Sequence, residues 1–443
     1  MTERDFEQLL RAGFRQMVDE AAPPTLRASV IAIPDLVPSA APRRPTARWG
    51  LPRLNRFATF ALAATVVVAV LIGIGLLARS PTVGPSPVPI ESGGPSPTPT
   101  ATPIPRAASW TVTGSMITPR AQLSATLLTN GKVLVAGGNS GTYSALGSSE
   151  LYDPTSGAWS ATGSLITPRM RHTATLLLDG RVLVAGGRSV VDSLASAELY
   201  DPRTGRWSAT GSMLHARQNH AAILLADGRV LVVGGAGRGD PAELYDPGSG
   251  TWNETEPTRF AYLVGYQTPM RLADGTVLII GDGPAELYSP DSGGWTLPGG
   301  PHSTGEESSA TLLADGRVLI SGGENQSGSV FTPRLSAQLY DPTTGTSTAT
   351  GSMKSRAAFA PGFLLADGTV LVVGGRELAD RYDPRTGTWL ATGGPTLAGA
   401  SSSYPGPDFA ATLLANGMVL VAGGLDDSGR LASAELYDPG AGS

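Results

Sequence analysis

Four arginines stand at matching places along the chain, Arg120, Arg169, Arg217 and Arg356, and His172 and His220 follow three residues behind the second and third. A guanidinium offers five N–H donors in a planar fork, and an imidazole adds a donor or an acceptor near neutral pH. Arranged around a common axis, these six residues would form a ring of donors for a carboxylate, a phosphate or a sugar, and they are the ligand-binding candidates. The same arginines have a second use. An acidic or amide residue recurs in step with them, at Glu150, Glu198, Glu243, Glu286, Gln338, Asp380 and Glu435, so that each Arg could fasten its own repeat. A binding site breaks a repeat, whereas a fastener follows it. Two equivalent histidines without a third ligand do not make a metal centre, so no metal and no cofactor are expected.

The elements that must position these residues recur at intervals of about fifty residues. Seven Asn-Gly or Asp-Gly dipeptides, from Asn130-Gly131 through Asp179-Gly180 to Asn416-Gly417, predict hairpins with two-residue type I′ turns. A glycine pair ends each apolar run, as at Gly137, Gly186 and Gly234, with Gly281-Asp282-Gly283 as the degenerate copy. Tyr-Asp-Pro follows, as at Tyr152, Tyr200 and Tyr437, with Tyr288-Ser289-Pro290 as its variant, and then Trp, replaced once by Ser347.

One unit reads as four strands, near 173 to 178, 181 to 185, 196 to 200 and 207 to 210. The run Val182-Leu183-Val184-Ala185 is apolar on both faces, as in a strand packed between two sheets. Trp110 has no Tyr-Asp-Pro before it, and Tyr437-Asp438-Pro439 has no Trp after it. The strand at 110 to 113 therefore completes the last sheet and leaves no free edge.

The chain before the repeats reads as an anchor. Residues 3 to 20 carry apolar side chains at three- and four-residue spacing and predict an amphipathic helix. Residues 57 to 78 hold no charge and are long enough to cross a bilayer. Arg43, Arg44, Arg48, Arg53 and Arg56 precede that run, which places the N-terminus in the cytoplasm and the repeats outside. The Pro/Ser/Thr-rich stretch at 79 to 107 is a semi-rigid stalk. The expected domains are thus 1–56, 57–78, 79–107 and 108–443.

Composition narrows the function. With a net charge of -5 and no Lys/Arg run in the repeats, nucleic acid is not an expected partner. The absence of cysteine removes disulfides, thiolate metal sites and cysteine nucleophiles.

Gly-Gly after the second strand, then Tyr-Asp-Pro, then Trp, with Arg ahead of the first strand, resembles kelch repeats over residues 110 to 443. The resemblance implies an all-β, seven-bladed kelch-type β-propeller, preceded here by the membrane helix and the cytoplasmic helix. Propellers of this kind are shared by galactose-oxidase-like enzymes, whose copper site includes a Tyr crosslinked to Cys, and this chain has no Cys. Ser289-Pro290-Asp291-Ser292-Gly293-Gly294-Trp295 approaches a sialidase Asp-box with shortened spacing. The N-terminal layout, with Pro23, Pro24 and Leu26 before one span, resembles membrane-spanning anti-sigma regulators without their zinc-binding His/Cys motif.

The leading expectation is a non-enzymatic, membrane-anchored module that binds a protein or a glycan outside the cell. The alternatives are a transmembrane sensor that signals through residues 1–50, with a cytoplasmic protein partner for the 3–20 helix, and a carbohydrate-active enzyme. The loops expected to vary, and so to carry binding, are 139–147, 188–195, 296–308, 324–335, 392–408 and 425–432.

Overall fold

The computed structural model describes residues 107–141, 144–235, 241–258, 268–281, 284–299, 306–327, 330–355, 360–374, 379–396, 408–426 and 429–440. The expected helix at 3–20, the span at 57–78 and the stalk up to residue 106 lie outside them, as does Arg356. Among the described residues no helix is long and apolar enough to cross a membrane.

Seven antiparallel sheets follow one another along the chain, each meandering from an inner to an outer strand. In the second blade, Thr173–Leu176 pairs with Val182–Ala185, that strand with Ala197–Asp201, and that one with Arg206–Ala209. The hairpin at Asp179-Gly180 differs from the expected type I′ turn. Gly180 alone takes positive φ, and its N–H donates to the Leu177 carbonyl while Leu177 N–H donates to Arg181, which makes a three-residue turn. Asp179 stays out of the left-handed region, and its carboxylate accepts the Arg181 N–H at 3.0 Å.

The ring closes as the unmatched ends suggest. Ser109–Val112 pairs with Ala434–Asp438 and places Trp110 opposite Tyr437, so the last blade is built from both ends of the repeat region. The fourth blade is complete although its landmarks are degenerate, with an outer strand of only Trp295–Thr296. The stretch expected as a loop at 324–335 is largely a β-hairpin, because Val318–Ser327 runs on past Gly322-Gly323 and pairs with Val330–Pro333. Leu425–Asp426 and Gly429–Arg430 form a shorter version in the last blade.

The core is divided among the junctions between blades. The second strands are buried along their whole length, and their side chains meet those of the neighbouring sheet on either side. Val182 packs with Leu134 across the first junction, Leu183 with Val230 across the second, and Val421 with Val373 across the sixth. Each such side chain contributes about 1.5–3 kcal/mol, so the blades stabilise one another.

Polar ties recur at several junctions. Trp207 Nε1 donates to the Gly163 carbonyl of the preceding outer segment at 3.0 Å, and Tyr200 Oη bonds Thr162 Oγ1 at 2.8 Å. Gly163 N–H reaches the Gly205 carbonyl at 3.0 Å, an approach that a Cβ would block at 2.2 Å from that oxygen. A glycine is required there by space.

Candidate functional site

Antiparallel pairing puts two kinds of connection on one face of the ring: the crossing from each outer strand to the next inner strand, and the loop between second and third strands. Arg120, Arg169 and Arg217 sit at the end of the crossings, and all three are fully buried. Arg169 donates from Nη1 to the carbonyls of Gly186 and Ser196, from Nη2 to Ser196 Oγ and Glu198, and from Nε to Thr167. All five of its N–H groups are occupied. Arg120 makes the same five bonds to Thr118, Gly137, Ser148 and Glu150. Arg217 bonds Gly234, Pro241 and Glu243.

The acid holds the crossing as well as the guanidinium. Glu198 Oε2 and Oε1 accept the N–H groups of Ile166 and Thr167 at 2.7 and 2.9 Å, and Glu150 and Glu243 do the same for the first and third blades. Burial holds the Arg120 and Arg169 guanidinium pKa values below the ordinary one, opposed by the neighbouring glutamates. The main chain of each Arg also ties two blades together, since Gly138 N–H donates to the Arg169 carbonyl and Gly187 N–H to that of Arg217. No N–H of Arg120 or Arg169 is left to face a ligand.

The two histidines serve separate junctions. His172 Nε2 bonds Ser124 Oγ at 2.9 Å, and its ring lies against Gly137 of the first blade, 2.8 Å from where a Cβ would stand. His220 repeats this one blade on, with Thr173 Oγ1 and Gly186. Burial, reinforced by the charge of Arg169 or Arg217, lowers both imidazole pKa values to about 3. Both rings are therefore neutral at pH 7. Leu123 occupies the corresponding place in the first blade and packs toward Gly423.

Two features of this face were not anticipated from the sequence. Gln122, Arg171 and Asn219, each two residues past the buried Arg, have φ of 55°, 56° and 52°, a left-handed conformation costly for non-glycine residues. Their N–H groups donate to the carbonyls of Asp408, Gln122 and Arg171 in turn, a backbone chain that joins the seventh, first, second and third blades. The second feature is apolar. Ile117, Ile166 and Leu214 occupy the same place in three consecutive crossings and are 62%, 62% and 59% exposed, because Glu150, Glu198 and Glu243 hold their backbone and turn the side chains outward. Val190 and Val191, in the loop whose Leu194 meets Arg217, add two exposed aliphatics to the same face. The signal was present in the sequence, as an aliphatic residue three positions ahead of Arg120, Arg169 and Arg217.

A family model of the Kelch motif matches residues 169–214, which run from the second buried Arg to the third exposed aliphatic. No curated protein matches the chain. Among solved structures, the chain is similar to a fungal alcohol oxidase of the AA5 family in complex with copper, with a TM-score of 0.60 and 18% identity over 75% of this chain and 76% of that one. At that identity the likeness is one of fold: a seven-bladed β-propeller that carries a Kelch motif.

Proposed function

We propose that the propeller is a protein-binding module and that its partner seats on the aliphatic arc of Ile117, Ile166, Leu214, Val190 and Val191. The carrying observation is that these side chains are exposed on one face while the charged residues beside them are buried and paired. Exposed aliphatics repeated at one place on successive blades of a rigid repeat offer a surface for a partner. The Kelch motif supports the reading, since kelch propellers commonly bind proteins.

In this account Arg120, Arg169 and Arg217 with His172 and His220 hold blades in register, and Arg356 belongs to the same series by sequence. They set the direction of the arc and leave contact to it. The membrane run at 57–78 and its arginine flank would place the propeller outside the cell, with the 3–20 helix in the cytoplasm. The copper of the fungal oxidase is not carried over, since among the described residues no three His, Cys, Asp or Glu side chains converge.

The test is capture from extracts of the protein's own cells, with the full chain compared to an Ile117→Asp, Ile166→Asp, Leu214→Asp variant and to a Leu178→Asp control on the opposite face. The wild type and the control should recover the same protein and the triple variant should lose it. Retention by the triple variant would set the arc aside.

A further inference from the structure

The opposite face carries the short turns, and three of its hairpins hold an internal ion pair. The hairpin aspartates pair with the Arg two residues on, Asp179 with Arg181, Asp227 with Arg229 and Asp315 with Arg317. Two cations bridge to the next blade: Arg229 donates to the Pro290 carbonyl, and Arg381, a third-strand residue paired with Asp367, donates to that of Pro439. Side chains ahead of the turn glycines close other gaps, with Thr129 lying 3.6 Å from where a Cβ on Gly180 would stand and Leu178 lying 3.1 Å from that of Gly228.

Where the last blade meets the first, neither turn carries an Asp–Arg pair. Both turns there are Asn-Gly, so the two carboxylates are replaced by amides. The position of Arg229 is taken by Met418, and among the described residues no guanidinium bonds Pro154. Ala415 stands in the place of Leu178, and a Cβ on Gly131 would meet nothing within 4 Å, as is also true at Gly275, Gly316, Gly368 and Gly417. The result is a cleft of about 330 Å³ lined by Asn130, Lys132, Asp153, Pro154, Leu414 and Asn416 among others. Small-molecule sites begin at roughly 300 Å³.

The polar groups of this cleft are oriented. Asn130 Oδ1 accepts the Lys132 N–H and Asn416 Oδ1 accepts the Met418 N–H, each at 3.1 Å. Both amide NH2 groups are thereby directed away from their own turns, and among the described residues neither has a partner. Lys132 Nζ lies 3.3 Å from Asp153 Oδ2, so the two charges cancel while each keeps capacity for another bond. Leu414, Ala415 and Pro154 supply an apolar wall. Donors and acceptors in a neutral cleft with an aliphatic side match a ring of hydroxyls with C–H faces better than they match an anion.

We propose that this junction cleft binds one neutral sugar unit, through the amides of Asn130 and Asn416 and the Lys132–Asp153 pair. It lies on the other face from the aliphatic arc and does not depend on the protein-binding reading. The test uses the full chain, titrated with the methyl α-glycosides of glucose, galactose and mannose by saturation-transfer NMR, with sodium sulfate as the anion probe. An Asn130→Asp, Asn416→Asp variant restores the turn residues of the other blades and lets Lys132 pair within its own hairpin.

At least one glycoside should bind the wild type saturably, and the loss of two hydrogen bonds should weaken it roughly tenfold in a variant with an unchanged melting temperature. If the aspartates lower the melting temperature, Lys132→Met, which copies Met418, serves for the same comparison. Absence of saturable binding by all three glycosides, equal binding by a folded variant, or binding of sulfate in their place would overturn the proposal.

Discussion

At the scale of single residues, the buried histidines make a measurable prediction. His172 and His220 have folded pKa values of about 3 against an ordinary value of 6.5, because the charged form would be desolvated beside Arg169 or Arg217. The unfolded chain takes up protons below pH 6.5 that the folded chain refuses. Their stabilising contribution is thus complete above pH 6.5 and is lost as the pH falls, by about 1.4 kcal/mol per pH unit for each histidine.

Between pH 6.5 and 5 the ordinary carboxylates stay ionised, so the slope there belongs to the imidazoles. His172→Leu, which copies Leu123, should roughly halve that slope in urea denaturation measured across the window. A slope that is the same in the variant would show that His172 is not buried as a neutral ring. The arginines illustrate what a sequence conceals at this scale. Their spacing suits a donor ring and a fastener equally, and only the occupancy of each N–H separates the two uses.

At the scale of elements, the strands and their order were legible because apolar runs, turn glycines and Tyr–Trp pairs have local causes. Tyr200 and Trp207 are directly opposite in the sheet, with ring centroids 5.1 Å apart, and the same pairing recurs with only small changes in other blades. Turn type was not legible. An Asp-Gly pair serves a two-residue turn and a three-residue turn alike, and the choice rests on whether Asp179 or only Gly180 takes positive φ. The hairpin beyond Gly322-Gly323 was missed because a glycine pair usually ends a strand, whereas here the strand continues through it.

The close approach of outer segments gives a prediction at this scale. Gly163→Ala puts a methyl 2.2 Å from the Gly205 carbonyl and should cost about 1–3 kcal/mol, while Gly141→Ala, with nothing within 4 Å, should be neutral in the same chemical denaturation. Equal stability of the two variants would contradict the packing described.

At the scale of the molecule, the ring is closed by strands distant in sequence, and that seam breaks the uniformity of the turn face. The strand Ser109–Val112 closes the last blade, and its Trp110 meets Tyr437 as the other Trp–Tyr pairs meet within single blades. The outer polar ties are thereby restored across the seam. The turn face next to it is not restored, since two asparagines and a methionine stand where aspartates and an arginine would close it.

On the loop face the asymmetry lies elsewhere. The first three blades share the buried Arg and the exposed aliphatic, and at the comparable place Lys354 of the sixth blade donates its N–H to Asp380. A surface made from three blades of seven is a directional one, suited to a partner that approaches the ring from one side. The aliphatic spacing ahead of Arg120, Arg169 and Arg217 was in the sequence, but its exposure was not legible there, because apolar residues in a repeat read as core until burial separates them.

The central claim is that a protein partner contacts the aliphatic arc, and it is tested most directly by a photo-activated crosslinking amino acid placed at position 166 or, as the opposite-face control, at position 178 in the full chain in living cells. The account predicts that irradiation yields a discrete adduct to another protein from position 166 and none from position 178. Adducts from 178 alone, or from neither position in a folded and abundant protein, would contradict it.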